Sequence, residues 1–449
     1  MSVPMKPSRY NRTVHVPDTD QYLLFNGLTT ALISLDRERF EKARHLLAAD
    51  SCDATEKMDK ETRELYDTLV DGRFIIPRSV DELALLKVRY NVSRFNNPLS
   101  LTILPTLACN LACTYCYEQP RPDVMSKDTV DAVCAFVEDH ARRERISSFN
   151  VSWYGGEPLL AASTIWELSE RFLRLSERYN FRYSAAITTN GTLLTRDVAD
   201  NLLRYNVTAA QVTVDGPKRI HDARRPFKNQ NRSSFDTILE NLDNIVGRMD
   251  ISLRINTDRR NAPFTEELLQ VFADRGWLGS DTRFFPYMAP VSKLTEACAD
   301  IVQECCTAES YLEHSIRFCK ACAAFGVPVK TRALYHFPLA VKYNCGAIAL
   351  NSMVIAPSGA IHKCSLTVND ESESLGNIRE PLDLVNPNLL KWLNFDPFAF
   401  EACRECDLLP ICLGACPKRA IEGEIPAETT ACAHTKGEID TILALHAVS

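Results

Sequence analysis

The 449-residue chain has no apolar run long enough to cross a bilayer as a helix, which sets aside helical membrane proteins. Its first residues, Met1-Ser2-Val3-Pro4-Met5-Lys6, lack the apolar core of a secretory signal. Positive charge is not in excess either. Lys and Arg number 51 against 58 Asp and Glu, a net charge of −7, so neither nucleic acid nor a membrane surface is expected as partner. Cysteine, in contrast, is abundant, at 17 residues. Without a secretion signal, that many thiols point to a reducing compartment, the cytoplasm, and to metal binding, not to disulfides. The remaining composition, 45% hydrophobic and 24% charged, is that of an ordinary globular protein with room for two or three domains.

The cysteines are not scattered. Cys109-Asn110-Leu111-Ala112-Cys113-Thr114-Tyr115-Cys116 sets three thiols at C-x3-C-x2-C. Three thiolates are one short of saturating a [4Fe–4S] cubane and leave one iron with open coordination. A zinc knuckle or a set of buried thiols is the alternative, although zinc sites usually come as paired C-x2-C units with four ligands. Upstream, Leu99–Leu104 reads as a buried strand ended by Pro105. The loop therefore lies past the C-terminal end of a strand, where parallel α/β sheets place their chemistry.

Around that strand the patterns alternate. Strands are expected at Leu101–Leu104, Asn150–Tyr154, Ser184–Thr188, Gln211–Val214, Ile251–Asn256 and Arg283–Tyr287. Helical stretches lie between them, near 126–145, 163–179, 195–205, 234–248 and 264–275. Such repeats predict a parallel sheet with helices outside. Before them, Tyr22–Leu28 and Ala31–Leu35 read as two strands around Asn26-Gly27, followed by helices at Arg37–Ala48 and Glu61–Val70. After them comes a helical bridge holding Cys298, Cys305, Cys306, Cys319 and Cys322. Its C-x2-C pair, like Cys52 and Cys134, reads as small buried thiols.

Several strand ends carry polar groups. Gly155-Gly156-Glu157-Pro158 lets backbone approach a ligand, and Glu157 is suited to accept from an ammonium. Thr188–Thr192 can offer hydroxyls and the Asn190 amide to a ribose. The fourth strand runs through Thr213 into Asp215-Gly216-Pro217, His221-Asp222 and Arg225. Arg225 suits a carboxylate or ribose contact, and His221 reads as structural. Arg254 and Asn256 alternate onto one face of the fifth strand. Farther on, Cys345 is followed by thirteen residues, Gly359, four residues and Cys364; then come Cys403, Cys406, Cys412, Cys416 and Cys432. Two zinc sites are the alternative for that array taken alone.

The cysteine loop, with Tyr115 before its last cysteine, resembles the signature of the radical S-adenosylmethionine (SAM) enzymes. The later array resembles the seven-cysteine SPASM pattern of their peptide-modifying branch. The resemblance implies a partial (β/α)6 TIM barrel with an N-terminal winged-helix-like domain and a C-terminal auxiliary-cluster domain. The segments are 1–92 (peptide recognition), 93–290 (barrel), 291–340 (bridge) and 341–449 (SPASM). It implies three [4Fe–4S] clusters and SAM as cofactors. Cys109, Cys113 and Cys116 would hold the SAM-binding cluster. Cys345, Cys364 and Cys416 would hold one auxiliary cluster, and Cys403, Cys406, Cys412 and Cys432 the other. Tyr115, Gly155, Gly156, Glu157, Asn190, Thr213 and Arg225 would contact SAM. Some relatives have another cysteine where Asn351 stands, so the first auxiliary cluster is left one ligand short. Sulfatase-maturing relatives carry an aspartate where Ser365 stands. The implied activity is oxidative thioether or carbon–carbon crosslinking of a ribosomally made precursor peptide with a leader, with flavodoxin or ferredoxin as electron donor. No side chain beyond the cluster ligands is assigned a catalytic role. An epimerase, a sulfatase-maturase-like residue oxidase and a zinc-stapled scaffold are the competing readings.

Overall fold

The computed structural model describes residues 3–48, 58–279, 281–327, 338–424 and 430–448, and Cys52 lies outside them. The chain divides into two compact units that do not follow chain order.

The first unit comprises Met1–Phe95, Val329–Cys345 and Phe395–Ser449. Its centre is an antiparallel sheet in the order β2 (Asn11–Val16), β3 (Gln21–Asn26), β4 (Leu32–Leu35). A short β1 (Met5–Pro7) pairs antiparallel with β5 (Ile75–Pro77). The run Leu23-Leu24-Phe25 is apolar throughout because β3 is buried on both faces, and alternate residues enter different cores. Leu24 joins Leu35, Ala43, Leu65, Leu69 and Phe74, under helices α1 (Arg37–Ala48) and α2 (Lys60–Asp71). Leu23 and Phe25 join Val14, Val16 and Leu408, together with Ile439 and Leu443 of the C-terminal helix Thr430–Val448. Asp59 caps α2 by accepting from the Thr62 amide at 2.8 Å. A third helix, α3 (Glu82–Phe95), buries Leu86 and Tyr90.

The second unit comprises Asn96–Pro328 and Gly346–Asn394. Six strands run parallel: β6 (Leu99–Ile103), β7 (Ser148–Trp153), β8 (Arg182–Thr189), β9 (Val207–Thr213), β10 (Asp250–Thr257) and β11 (Phe284–Pro290). Between them lie α4 (Lys127–Glu144), α5 (Ala162–Tyr179), α6 (Arg196–Arg204), α7 (Lys218–Arg224), α8 (Ser234–Asp243) and α9 (Thr265–Asp274); α10 (Ala308–Ala324) follows. Ser126, Thr195 and Ser233 cap α4, α6 and α8. The alternation of strand and helix is the one the periodicity predicts.

One pairing is not written in the periodicity. Strands β12 (Ser352–Ile355) and β13 (Ile361–His362) form a hairpin around Gly359, whose φ of +87° fits the turn. That hairpin, which the turn glycine Gly359 allows, also continues the main sheet, because β12 pairs parallel with β6. The sheet order is β11-β10-β9-β8-β7-β6-β12-β13, an open sheet of eight strands. Asn351 fixes this junction, since its amide donates to the Asn97 carbonyl at 3.0 Å and its backbone N–H to the Asn97 side chain at 3.0 Å.

Candidate functional site

The cysteine loop leaves the end of β6 and is held from two sides. The segment after α7 pairs with it: Ala112 N–H donates to the Pro226 carbonyl at 2.9 Å, Thr114 N–H to Arg224 at 3.0 Å, and Lys228 N–H to Asn110 at 3.0 Å. On the other side lies the turn after β7, where Glu157 N–H donates to the Ala108 carbonyl at 2.8 Å. Burial raises the Cys109 thiol to about 11 and the Cys116 thiol to about 12, with a further push from Cys113. Three cysteines in one loop, whose thiolate forms would repel one another, are a donor set that a bound iron cluster would stabilise.

The two glycines after β7 serve the loop directly. A Cβ at Gly155 would meet the Thr106 carbonyl oxygen at 2.3 Å, and one at Gly156 would meet those of Ala108 and Leu107 at 2.4 and 2.6 Å. Their smallness lets the turn press against the backbone that leads into Cys109. Glu157, fully buried, is engaged within the protein. Its carboxylate accepts from the Leu159 amide at 3.1 Å, the Thr189 hydroxyl at 2.7 Å and the Asn190 amide at 2.7 Å. Those donors take three of the roughly four acceptor directions of a carboxylate, tying the end of β7 to the end of β8.

Asn190 faces the same loop. Its side chain donates to Asn110 Oδ1 at 2.8 Å and to Cys109 Sγ at 3.9 Å, and accepts from the Thr192 amide at 2.9 Å and hydroxyl at 2.7 Å.

Tyr115 and Arg225 meet in a buried polar network. The Tyr115 hydroxyl donates to Asp215, and accepts from Arg225 Nη1 at 2.7 Å and from Asn256 Nδ2 at 3.1 Å. Burial holds the phenol well above its ordinary range, so it stays a proton donor. Arg224 stacks on the Tyr115 ring at 4.9 Å and pairs with Asp258, and Asn256 accepts from Arg254 Nε at 2.7 Å. Thr213 lies buried at the end of β9. Arg225 is only 6% exposed, and its Nε is buried without a hydrogen-bond partner. A buried guanidinium with an unused donor beside three cysteines fits an anionic group bound there. His221 is buried, and its Nδ1 accepts from the Asp215 amide at 3.2 Å, a structural role.

The later cysteines divide between the units. Cys403, Cys406, Cys412 and Cys432 line one apolar cavity in the first unit, with Leu408, Leu409, Gly414 and Lys436. Burial raises Cys403 to about 11, with the other three thiols adding to it. Among the described residues no three His, Cys, Asp or Glu side chains converge tightly enough for a single metal ion. Four thiols lining one cavity are a donor set that either an iron–sulfur cluster or zinc can use. Cys345 and Cys416 belong to the first unit and Cys364 to the second. The bridge thiols Cys298, Cys319 and Cys322 are buried, as is Cys134. Arg224 and Asp258 are participants the sequence did not single out; the doubled arginine ahead of Pro226 was the available signal.

Comparison with known proteins agrees with this geometry. A family model described as the radical SAM superfamily matches residues 103–257, from the end of β6 through β10. The serine-type anaerobic sulfatase-maturating enzyme of Bacteroides thetaiotaomicron is 29% identical over 161 residues, 33% of this chain and 37% of that enzyme. The chain thus spans little more than a third of that relative's length. Mycofactocin maturase MftC of Mycobacterium tuberculosis is 25% identical over 341 residues, 71% of this chain and 78% of that one. Among solved structures, native anSMEcpe with bound AdoMet and Kp18Cys peptide superposes with a TM-score of 0.61 at 17% identity, covering 78% of this chain and 99% of that one. With the three-cysteine loop at the end of β6 and the family model aligned across it, residues 103–257, about a third of the chain, match the radical SAM superfamily.

Proposed function

We propose that the protein is a radical SAM peptide maturase that forms an oxidative thioether or carbon–carbon crosslink in a ribosomally made precursor peptide. The observation that carries the cofactor assignment is the buried Arg225, with its unused Nε, beside the loop of Cys109, Cys113 and Cys116. A [4Fe–4S] cluster with SAM on its open iron supplies, when reduced, a 5′-deoxyadenosyl radical able to take hydrogen from carbon, and auxiliary clusters supply a sink for the remaining electron. The chain's own residues orient and enclose. Cys109, Cys113 and Cys116 are the ligands; Arg225 offers its free donor to the carboxylate of SAM; Thr213 and the backbone at Gly155 and Gly156 border the same space. Tyr115 holds Arg225 in place, itself held by Asp215 and Asn256.

The auxiliary assignments rest on the cavity of Cys403, Cys406, Cys412 and Cys432, and on the spacing of Cys345, Cys364 and Cys416. Asn351 is committed to Asn97, which favours a first auxiliary cluster with three protein thiolates. A peptide substrate is supported by the named roles of the relatives and by the first unit. There, among the described residues, no strand pairs with the outer edge of β4, an edge suited to strand addition, and α3 exposes Leu85, Val88, Val92 and Phe95 along one face. Residues 1–92 are accordingly read as the leader-recognition element, with flavodoxin or ferredoxin as electron donor. Among the described residues no helix is long and apolar enough to cross a membrane; a cytoplasmic location is part of the proposal.

A residue oxidase like the sulfatase maturases is the second reading, favoured by the similarity to those enzymes. Anaerobic reconstitution with the product of a small neighbouring reading frame decides between them. A peptide lighter by two hydrogens and unreactive toward a hydrazide supports the crosslink. A hydrazide-reactive aldehyde supports the oxidase instead. Cys113→Ala should abolish 5′-deoxyadenosine formation, and persistence of that product would reject the cleavage assignment.

A further inference from the structure

We infer that Asn190 is a positioning residue of the cysteine loop whose side-chain amide hydrogen-bonds the Cys109 sulfur and raises the reduction potential of the cluster held there. This rests on the reading of Cys109, Cys113 and Cys116 as ligands of a [4Fe–4S] cluster. It replaces the ribose contact that the sequence suggested for Asn190.

The orientation of the amide follows from its neighbours. The Thr192 backbone N–H can only donate, so the Asn190 atom facing it at 2.9 Å is Oδ1. The NH2 group is thereby turned to Asn110 Oδ1 at 2.8 Å and to Cys109 Sγ at 3.9 Å. A closed ring results: Asn190 donates to Asn110, Asn110 Nδ2 donates to the Thr192 hydroxyl at 2.9 Å, and that hydroxyl donates back to Asn190 Oδ1 at 2.7 Å. Every donor and acceptor in the ring is used in the one sense its chemistry allows. The Asn190 oxygen takes two hydrogens and its nitrogen gives two, the full capacity of an amide, leaving nothing for a sugar hydroxyl. The residue is 6% exposed, and its backbone N–H is fixed by Glu157 at 2.7 Å, so the side chain cannot easily turn away.

The consequence for chemistry is one of sign. Reduction adds negative charge that spreads onto the ligand sulfurs, and an N–H donor at a sulfur stabilises the reduced state more than the oxidised one.

The test is a potentiometric titration of the full-length, fully reconstituted protein, followed through the part of the reduced-cluster EPR signal that changes on adding SAM. Asn190→Leu, near in size and without a donor, is expected to move that midpoint to more negative potential while SAM affinity is unchanged. Should Asn190→Leu fail to hold iron, Asn190→Asp keeps the acceptor for Thr192 and replaces the N–H by a carboxylate oxygen; its midpoint is also expected to fall. A midpoint that stays in place or rises in either loaded variant overturns the inference, as does weakened SAM binding at an unchanged midpoint, which would restore the ribose contact. Wild-type protein without a SAM-responsive signal would overturn the cluster assignment itself, and is distinguished in that way.

Discussion

Arg225 and His221 show how burial fixes two residues of one short segment in opposite states. Arg225 keeps its charge although no carboxylate forms an ion pair with it among the described residues; Asp215 and Asp258 are engaged by Arg224. A lysine would keep the charge but lose the fork that reaches Tyr115 and the space beside the cysteines at once. Arg225→Lys is therefore expected to lower the rate of SAM cleavage by about 10- to 100-fold, the effect of losing one charge-assisted hydrogen bond, about 1.5–3 kcal/mol. Measuring 5′-deoxyadenosine without peptide checks this, and wild-type rates would remove Arg225 from the cofactor site. His221 is the reverse case. Burial first, then Arg225 and Arg224, hold its imidazole well below its ordinary range, so the folded protein keeps it neutral. The unfolded chain takes up that proton as pH falls below about 6.5, and stability present above that pH is lost beneath it. His221→Asn, able to accept from the Asp215 amide without titrating, should narrow the gap to wild type in urea midpoint between pH 7.5 and 5.5. About 1 kcal/mol of differential stability is expected at the lower pH. A gap independent of pH would contradict a neutral buried His221.

At the scale of elements, the turn after β7 and the loop after β6 form one packed body. Gly156→Ala places a methyl 2.4 Å from the Ala108 carbonyl oxygen, and backbone on both sides prevents an easy retreat. Overpacking of this kind costs about 1–3 kcal/mol, and the part that must move is the stem of Cys109. The variant is expected to fold with a lower Tm and to lose ~4 of ~12 irons after reconstitution, the content of one of the three clusters proposed above. Full iron in the variant would show that the loop tolerates the shift. This coupling explains what the sequence disclosed. The spacing of the cysteines, the turn glycines and the period of the strands are local properties, so the site's outline and the six parallel strands were legible. Helix α3 was not, because its exposed Leu85, Val88, Val92 and Phe95 add to its buried Leu86 and Tyr90, and no clean amphipathic stripe remains. The pairing of β12 with β6 depends on a junction between Asn97 and Asn351, far apart in sequence. The hydrogen bonds of Glu157 and Asn190 likewise depend on partners arriving from other segments, so residue type alone did not disclose them.

Across the whole molecule, the N-terminal sheet and the last cysteine array share one hydrophobic core. Leu408 and, partly buried, Cys406 and Ile411 pack with Val14, Val16, Leu23 and Phe25, and Ile439 and Leu443 close the same cluster. Arg12 on β2 reinforces the link, donating to Asp407 at 2.8 Å and to Asp440 at 2.6 Å. The cavity of Cys403, Cys406, Cys412 and Cys432 therefore adjoins the strands proposed to recognise a leader peptide. Four thiols around an apolar cavity are held apart by whatever group they bind, and short helices such as Leu409–Cys412 have too few backbone hydrogen bonds to stay ordered alone. Loss of that group should loosen Leu408 and Ile411 and, through them, the outer face of β2 and β3. Cys412→Ala, reconstituted with iron and sulfide, is thus expected to lose one cluster and to exchange the amides of Asn11–Val16 and Gln21–Asn26 faster, while those of Leu99–Ile103 in the other unit keep their protection. Precursor affinity should fall in the same variant although no peptide-binding residue has changed. Unaltered exchange in β2 and β3 would mean that the shared core stands without the cluster, and that recognition and the auxiliary array are energetically independent.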